Sequence, residues 1–106
     1  MKNLNIAAMM KQAQMMQSRM QEIQQEVGEK TVEASAGGGM VTAVVNGRGE
    51  LVSLKIDPEV VKGGDVEMLE DLVLSAVNEA HRRADEMMKS ALAKIAGPLS
   101  GGFPFS

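Results

Sequence analysis

Cysteine is absent from this 106-residue chain, and so are tryptophan and tyrosine; the two phenylalanines, Phe103 and Phe105, stand among the last four residues. Without cysteine there are no disulfides, no thiolate metal ligands and no sulfur nucleophile, which fits a reducing, cytoplasmic compartment. Without aromatic rings in its body the chain builds an aliphatic core. It also lacks the stacking platforms on which single-stranded nucleic acid is usually held. No 18-residue apolar run exists, and Lys11, Gln12, Gln14, Gln17 and Arg19 break up the opening segment, so neither a membrane span nor a signal peptide is expected.

What is abundant is methionine, ten in all, with Met9, Met10, Met15, Met16 and Met20 in one stretch of twelve residues. Ile6, Met9, Ala13, Met16, Met20, Ile23 and Val27 recur at alternating steps of three and four, a heptad seam. The spacing predicts a helix from about Asn5 to Val27, with Gly28 as its stop. Core packing explains most of the methionines. A soft-metal site has no cysteine or nearby histidine to complete it. An adaptable partner surface is the other use of exposed thioethers.

The period then changes to two. "TVEASA", "MVTAVV" and "LVSLKI" read as three strands, separated by Gly37–Gly39 and by "NGRGE". Asn46-Gly47 is a hairpin signal for a two-residue type I′ turn, and Gly49 allows a bulged four-residue alternative. In the third strand Val52, Leu54 and Ile56 share one face, with Leu51, Ser53 and Lys55 on the other. The glycine run lacks the lysine and hydroxyl of a phosphate loop and precedes a strand, so it is expected to bend the backbone.

A connector from Asp57 to Asp65, with a helical turn at Pro58, leads to a long second helix that Gly97-Pro98 is expected to end. Glu67, Glu70 and Asp71 favour its N-terminal dipole, so they read as structural rather than catalytic. Val66, Leu69, Leu72, Val73, Ala76 and Val77 form a broad face suited to a sheet. Ala80, Ala84, Met87, Ala91 and Ile95 form a narrower one suited to another helix. The fold class is therefore α+β: helix, three-stranded antiparallel meander, connector and long helix, as one domain over residues 1–96, with a flexible tail at 97–106.

Charge is unevenly spread. The net charge is −3, yet residues 1–21 carry +3 from Lys2, Lys11 and Arg19, and residues 81–106 carry +2 from Arg82, Arg83, Lys89 and Lys94 against Asp85 and Glu86. Residues 22–80 carry −8. If the helices pair as an antiparallel hairpin, the basic ends meet far from the acidic body, at about +5 per chain and roughly +10 in a two-fold dimer. A tip of this kind suits the phosphates of duplex DNA, bound without strong sequence preference. Lysine and arginine near a helix C-terminus also answer its dipole. His81 reads as a surface residue beside the basic pair, lacking partners for a metal or for catalysis.

The combination "MMKQAQMMQ", "GGGMVTAVVNGRGELVSLKIDPEVV" and "DVEMLEDLVLSAVNEAHRRADEMM", followed by a Gly- and Pro-containing tail, resembles the YbaB/EbfC family of bacterial nucleoid-associated proteins. The resemblance spans nearly the whole chain. It implies a homodimer joined through the sheet region, helical arms held like tweezers, and duplex DNA binding in the cytoplasmic nucleoid, with roles in nucleoid organisation and gene regulation. Nothing among the residues nominates a substrate pocket, so no enzyme activity, cofactor, small-molecule substrate or membrane partner is expected. The DNA-contact candidates come from the charge count: Lys2, Lys11, Arg19, Arg82, Arg83, Lys89 and Lys94. The competing reading is a protein-interaction module whose Met-rich arms clasp a protein partner.

Overall fold

The computed structural model describes residues 5–100; Lys2 and the tail residues 101–106 lie outside the described residues. The order is helix α1 (Ile6–Glu29), strands β1 (Thr31–Ala36), β2 (Val41–Asn46) and β3 (Leu51–Ile56), short helix α2 (Pro58–Lys62) and long helix α3 (Val66–Ser100). The strands form an antiparallel meander in the order β1-β2-β3. A radius of gyration of 20.6 Å far exceeds the ~13 Å of a compact chain this long. The two long helices account for the difference, extending well beyond the small sheet.

Each helix start is capped as its sequence requires. The Asn5 amide oxygen and the Asp65 carboxylate accept from the Ala8 and Met68 backbone amides, and Asp57 caps α2 ahead of Pro58. The end of α1 departs from expectation. Gly28 lies inside the helix, which ends at Lys30 with extended backbone and the Lys30 amide bonded to the Val27 carbonyl. Because β1 follows at once, no left-handed residue is needed. Gly28 instead makes room for Arg48, whose Nη1 and Cγ would stand 3.0 and 3.1 Å from a Cβ at that position. The other long helix continues through Gly97 and Pro98, where the sequence predicts its end. A proline so near a helix terminus forfeits one hydrogen bond with little helix beyond it to disrupt.

Gly37, Gly38 and Gly39, all with positive φ, turn β1 into β2. The β2–β3 connection takes the four-residue form: among its residues only Gly49 has positive φ, at 88°. Asn46, 6 % exposed, organises it. Its Oδ1 accepts from the Arg48 and Glu50 amides at 3.0 Å each, and its Nδ2 donates to Glu50 Oε1 at 2.7 Å. A bulge after Val44 leaves Val52 unpaired, so that Leu51 opposes Val45 while Leu54 and Ile56 oppose Ala43 and Val41. Leu51 thereby joins the face of Leu54 and Ile56, where simple alternation had put it opposite.

The core is built from small residues: Ala34, Val41, Ala43 and Val45 from the sheet meet Ala76, Ala80 and Ala84 of α3. Four-residue spacing puts these alanines on one stripe, which brings the helix close to β1 and β2. Ala80 and Ala84 thus continue the sheet contact rather than opening a helix seam. The helix seam begins later, where Ala91 and Ile95 face Ile23 and Val27. Of the heptad, Val27 is buried and Met16 and Ile23 are half-buried, whereas Met9 and Met20 join Met10 and Met15 on the surface. Core packing accordingly explains few of the methionines in the isolated protomer.

β3 is left largely uncovered. α3 packs on β1 and β2, so Leu51 and Val52 remain 45 % and 52 % exposed at the open edge, with Leu54 beside them. A long apolar edge strand of this kind is normally covered in the working assembly.

Candidate nucleic-acid interface

The arms consist of α1 and the second half of α3, and a groove runs between them. Its distal part, about 700 Å³, is lined by residues that include Lys11, Arg19 and Ile95. Its inner part, about 350 Å³, includes Arg19, Lys94 and Glu26. The groove therefore collects three of the predicted cations, Lys11, Arg19 and Lys94, against Glu22 and Glu26. Arg19 stands 4.0 Å from Glu22 with both side chains largely exposed, a weak and easily exchanged pair. Periodicity brings these groups together: positions 11, 15, 19, 22 and 26 lie on one flank of α1.

Arg82 and Arg83 occupy a different place. Arg83 Nη1 donates to the Glu33 carbonyl oxygen of β1 at 2.7 Å, which ties α3 to the sheet and sets this pair at the root of the arm. Arg82 Nε and Arg83 Nε donate to the two Glu79 oxygens at 3.0 and 3.1 Å, and Arg82 also pairs with Glu86. Lys89 pairs with Asp85 at 3.0 Å. The root thus carries its positive charge alongside carboxylates, whereas the groove holds cations with few partners.

The same cluster sets an acid-sensitive contact. The Arg82 hydrogen bond, helped by that of Arg83 and opposed by desolvation, lowers the Glu79 carboxyl from about 4.5 to about 2. The folded state favours the charged form more than the unfolded chain does. This stabilisation is complete above about pH 4.5 and fades as pH falls toward 2. Melting curves across that range should show a steeper acid decline for wild type than for Glu79→Gln. Parallel declines would assign acid sensitivity to other carboxylates, such as Glu50, which is lowered chiefly by Asn46 and then by Arg48.

Two kinds of residue escaped the sequence reading. Arg48 was absorbed into a turn motif, although it projects from the hairpin tip between the two long helices. Gln21, Gln24 and Gln25 carry no charge and so no count could single them out, yet they line a cleft with Arg48. Among the described residues, no helix is long and apolar enough to cross a membrane.

The model of the YbaB/EbfC DNA-binding family matches residues 1–99. A nucleoid-associated protein of Thermoanaerobacter pseudethanolicus is 60% identical over 96 residues, covering 91% of this chain and 86% of its own length. A nucleoid-associated protein of Acetivibrio thermocellus is 57% identical over 100 residues, covering 94% and 88%. Among solved structures, an uncharacterised protein of Helicobacter pylori, HP0035, superposes with a TM-score of 0.72 at 25% identity, covering 83% of this chain and 92% of that one.

Proposed function

The chain belongs to the YbaB/EbfC DNA-binding family, a family of DNA-binding proteins and not of enzymes, and from that membership we propose that it binds duplex DNA as a homodimer, mainly through phosphates. The observation that carries this reading is the groove between α1 and α3, where Lys11, Arg19 and Lys94 outnumber the carboxylates. Such side chains fix a protein on the sugar–phosphate backbone without reading bases. Lys2 belongs with them by sequence. Lys89, Arg82 and Arg83 add positive potential nearer the sheet but must first leave Asp85, Glu79 or Glu86. The names of its relatives support a place in the bacterial nucleoid, where binding of this kind would organise DNA and alter access to genes.

Dimerisation is supported by the uncovered apolar edge of β3. A core whose largest fully buried side chains are Val41 and Val45 leaves the protomer little stability to spare, and a second copy seated on Leu51, Val52 and Leu54 would add apolar burial. Two copies joined at their sheets would hold four long helices outward as paired arms.

Anisotropy titrations of a random-sequence duplex test the binding mode. Affinity should fall with salt along a log–log slope of about −3 per protomer, from three phosphate contacts. A flat response would exclude phosphate binding. It would instead favour the clasping of a protein partner by the exposed Met9, Met10 and Met15. Light scattering should give twice 11.3 kDa; a single species of 11.3 kDa at micromolar concentration would overturn the homodimer.

A further inference from the structure

On the opposite flank of the α1–α3 pair lies a second cleft, lined by polar side chains together with Met88. One part, about 750 Å³, is bounded by Gln21, Gln24 and Gln25 of α1 with Arg48 and Met88. The adjoining part, about 440 Å³, is bounded by the hairpin tip and by Asn78, His81 and Asp85 of α3. Arg48 and Met88 belong to both parts, so the two are continuous, and Arg48 stands at their junction. At 100° per residue, positions 21 and 24 point away from 19, 22 and 26, while Gln25 lies at the border, where it also lines a small recess with Glu22, Glu26 and Glu29; Gln21 and Gln24 therefore set this cleft apart from the arm groove.

We infer that this cleft is an additional contact for the phosphodiester backbone of duplex DNA, centred on the Arg48 guanidinium and flanked by the Gln21 and Gln24 amides. The inference rests on the DNA-binding reading above and extends its footprint from the arms to their root. Arg48 is presented from a fixed base: its amide is held by Asn46 Oδ1 at 3.0 Å, and its side chain lies across Gly28 at the end of α1. Its Nε, 3.4 Å from Glu50 Oε1, is the guanidinium nitrogen that has a hydrogen bond among the described residues. Neither terminal nitrogen has a hydrogen bond among the described residues; Nη1 lies against Gly28, which leaves Nη2 as the freer donor to a phosphate oxygen.

The surroundings suit an anion better than a cation. Glutamine and asparagine amides donate without bringing negative charge, and such groups share phosphate contacts with arginine across protein–DNA interfaces. Asp85 is the carboxylate lining the cleft, and Lys89 holds it at 3.0 Å; Glu50 beside Arg48 and Glu22, Glu26 and Glu29 beyond Gln25 bound it, which places the anion site on Arg48, Gln21 and Gln24. Glycines at 47 and 49 on either side of Arg48 leave the tip without other side chains to obstruct a strand.

The test compares wild type, Arg48→Gln, Gln24→Glu and the arm variant Lys11→Glu/Arg19→Glu/Lys94→Glu in titrations of one random-sequence duplex across salt. Gln24→Glu keeps a strong helix former and has no charged residue three or four positions away, since those are Met20, Gln21, Val27 and Gly28. Its melting temperature should stay at the wild-type value. Arg48→Gln should weaken binding about tenfold and reduce the magnitude of the salt slope by about one, and Gln24→Glu should also weaken binding, by several fold. If Arg48→Gln melts early because its packing on Gly28 is lost, Gln24→Glu decides. Wild-type affinity and slope in Gln24→Glu, alongside lost binding in the arm variant, would overturn the cleft and leave the arm reading standing. No binding by wild type at low salt would overturn both.

Discussion

Gly47→Ala should not fold at ordinary temperatures, or should lose roughly 3–5 kcal/mol of stability in urea melts. The reason is not backbone conformation, since position 47 lacks a positive φ. A Cβ there would overlap the Val27 carbonyl oxygen, lie 2.7 Å from its carbon and stand 3.0 Å from the Gly28 Cα. All three obstacles are backbone, so no rotamer change relieves them. The close approach is itself bonded: the Gly47 amide donates to the Lys30 carbonyl at 2.9 Å, and the Lys30 amide donates to Val27 at 3.1 Å. Here the hairpin is fastened to the end of α1, so moving it would release both the helix terminus and the Arg48 side chain above Gly28. Gly38→Ala is the control. Position 38 has φ of 68° but nothing within 4 Å of an added Cβ, so it should cost only the ~1–2 kcal/mol of a left-handed alanine. Equal losses at both positions would refute the steric account.

That contact also shows where the sequence was legible. Alternation and heptad spacing depend on each element's own period, so the helices, the three strands and their order could be read from residues alone. Gly28 looked like a stop because glycine often ends helices; its actual task, admitting Arg48, depends on a residue twenty positions later. The same holds for Leu51: its face follows from a bulge at Val52, and a bulge adds one residue without changing the apolar pattern around it. Ala80 and Ala84 could face a helix or a sheet equally well, and only the path of α3 over β1 and β2 decides. For the candidate interface, counting charges nominated Lys11, Arg19 and Lys94, which the fold gathers in one groove. It did not tell them from Arg82 and Arg83, because a count over residues 81–106 leaves out Glu79, whose i,i+3 and i,i+4 spacing to those two was readable, and the Glu33 carbonyl lies far away in sequence. Ion-pair partners, rather than the cations themselves, separate the groove from the root.

The separation leads to the largest expected effect on function. Lys11→Glu/Arg19→Glu/Lys94→Glu should reduce affinity for random duplex DNA by at least two orders of magnitude at low salt and cut the salt slope to the part of about −1 per protomer that Arg48 supplies, since three phosphate contacts are lost and three repulsions gained. The variant should still fold. All three side chains lie on helix surfaces, glutamate is a strong helix former, and the one nearby pair, Arg19 with Glu22, is exposed at 4.0 Å. Arg82→Ala/Arg83→Ala, which removes nearly as many cations, should weaken binding less than about tenfold, because both guanidiniums already spend their hydrogen bonds on Glu79 and Glu86. Its clearer signature should be lower stability, by about 1 kcal/mol, from loss of the Arg83 bond to the Glu33 carbonyl. The two variants therefore exchange phenotypes: one folded and unable to bind, the other binding and less stable. Were the root variant the one that lost DNA, phosphates would have to displace Glu79 and Glu86 from both arginines. The arms would then act as spacers that set the distance between two binding roots.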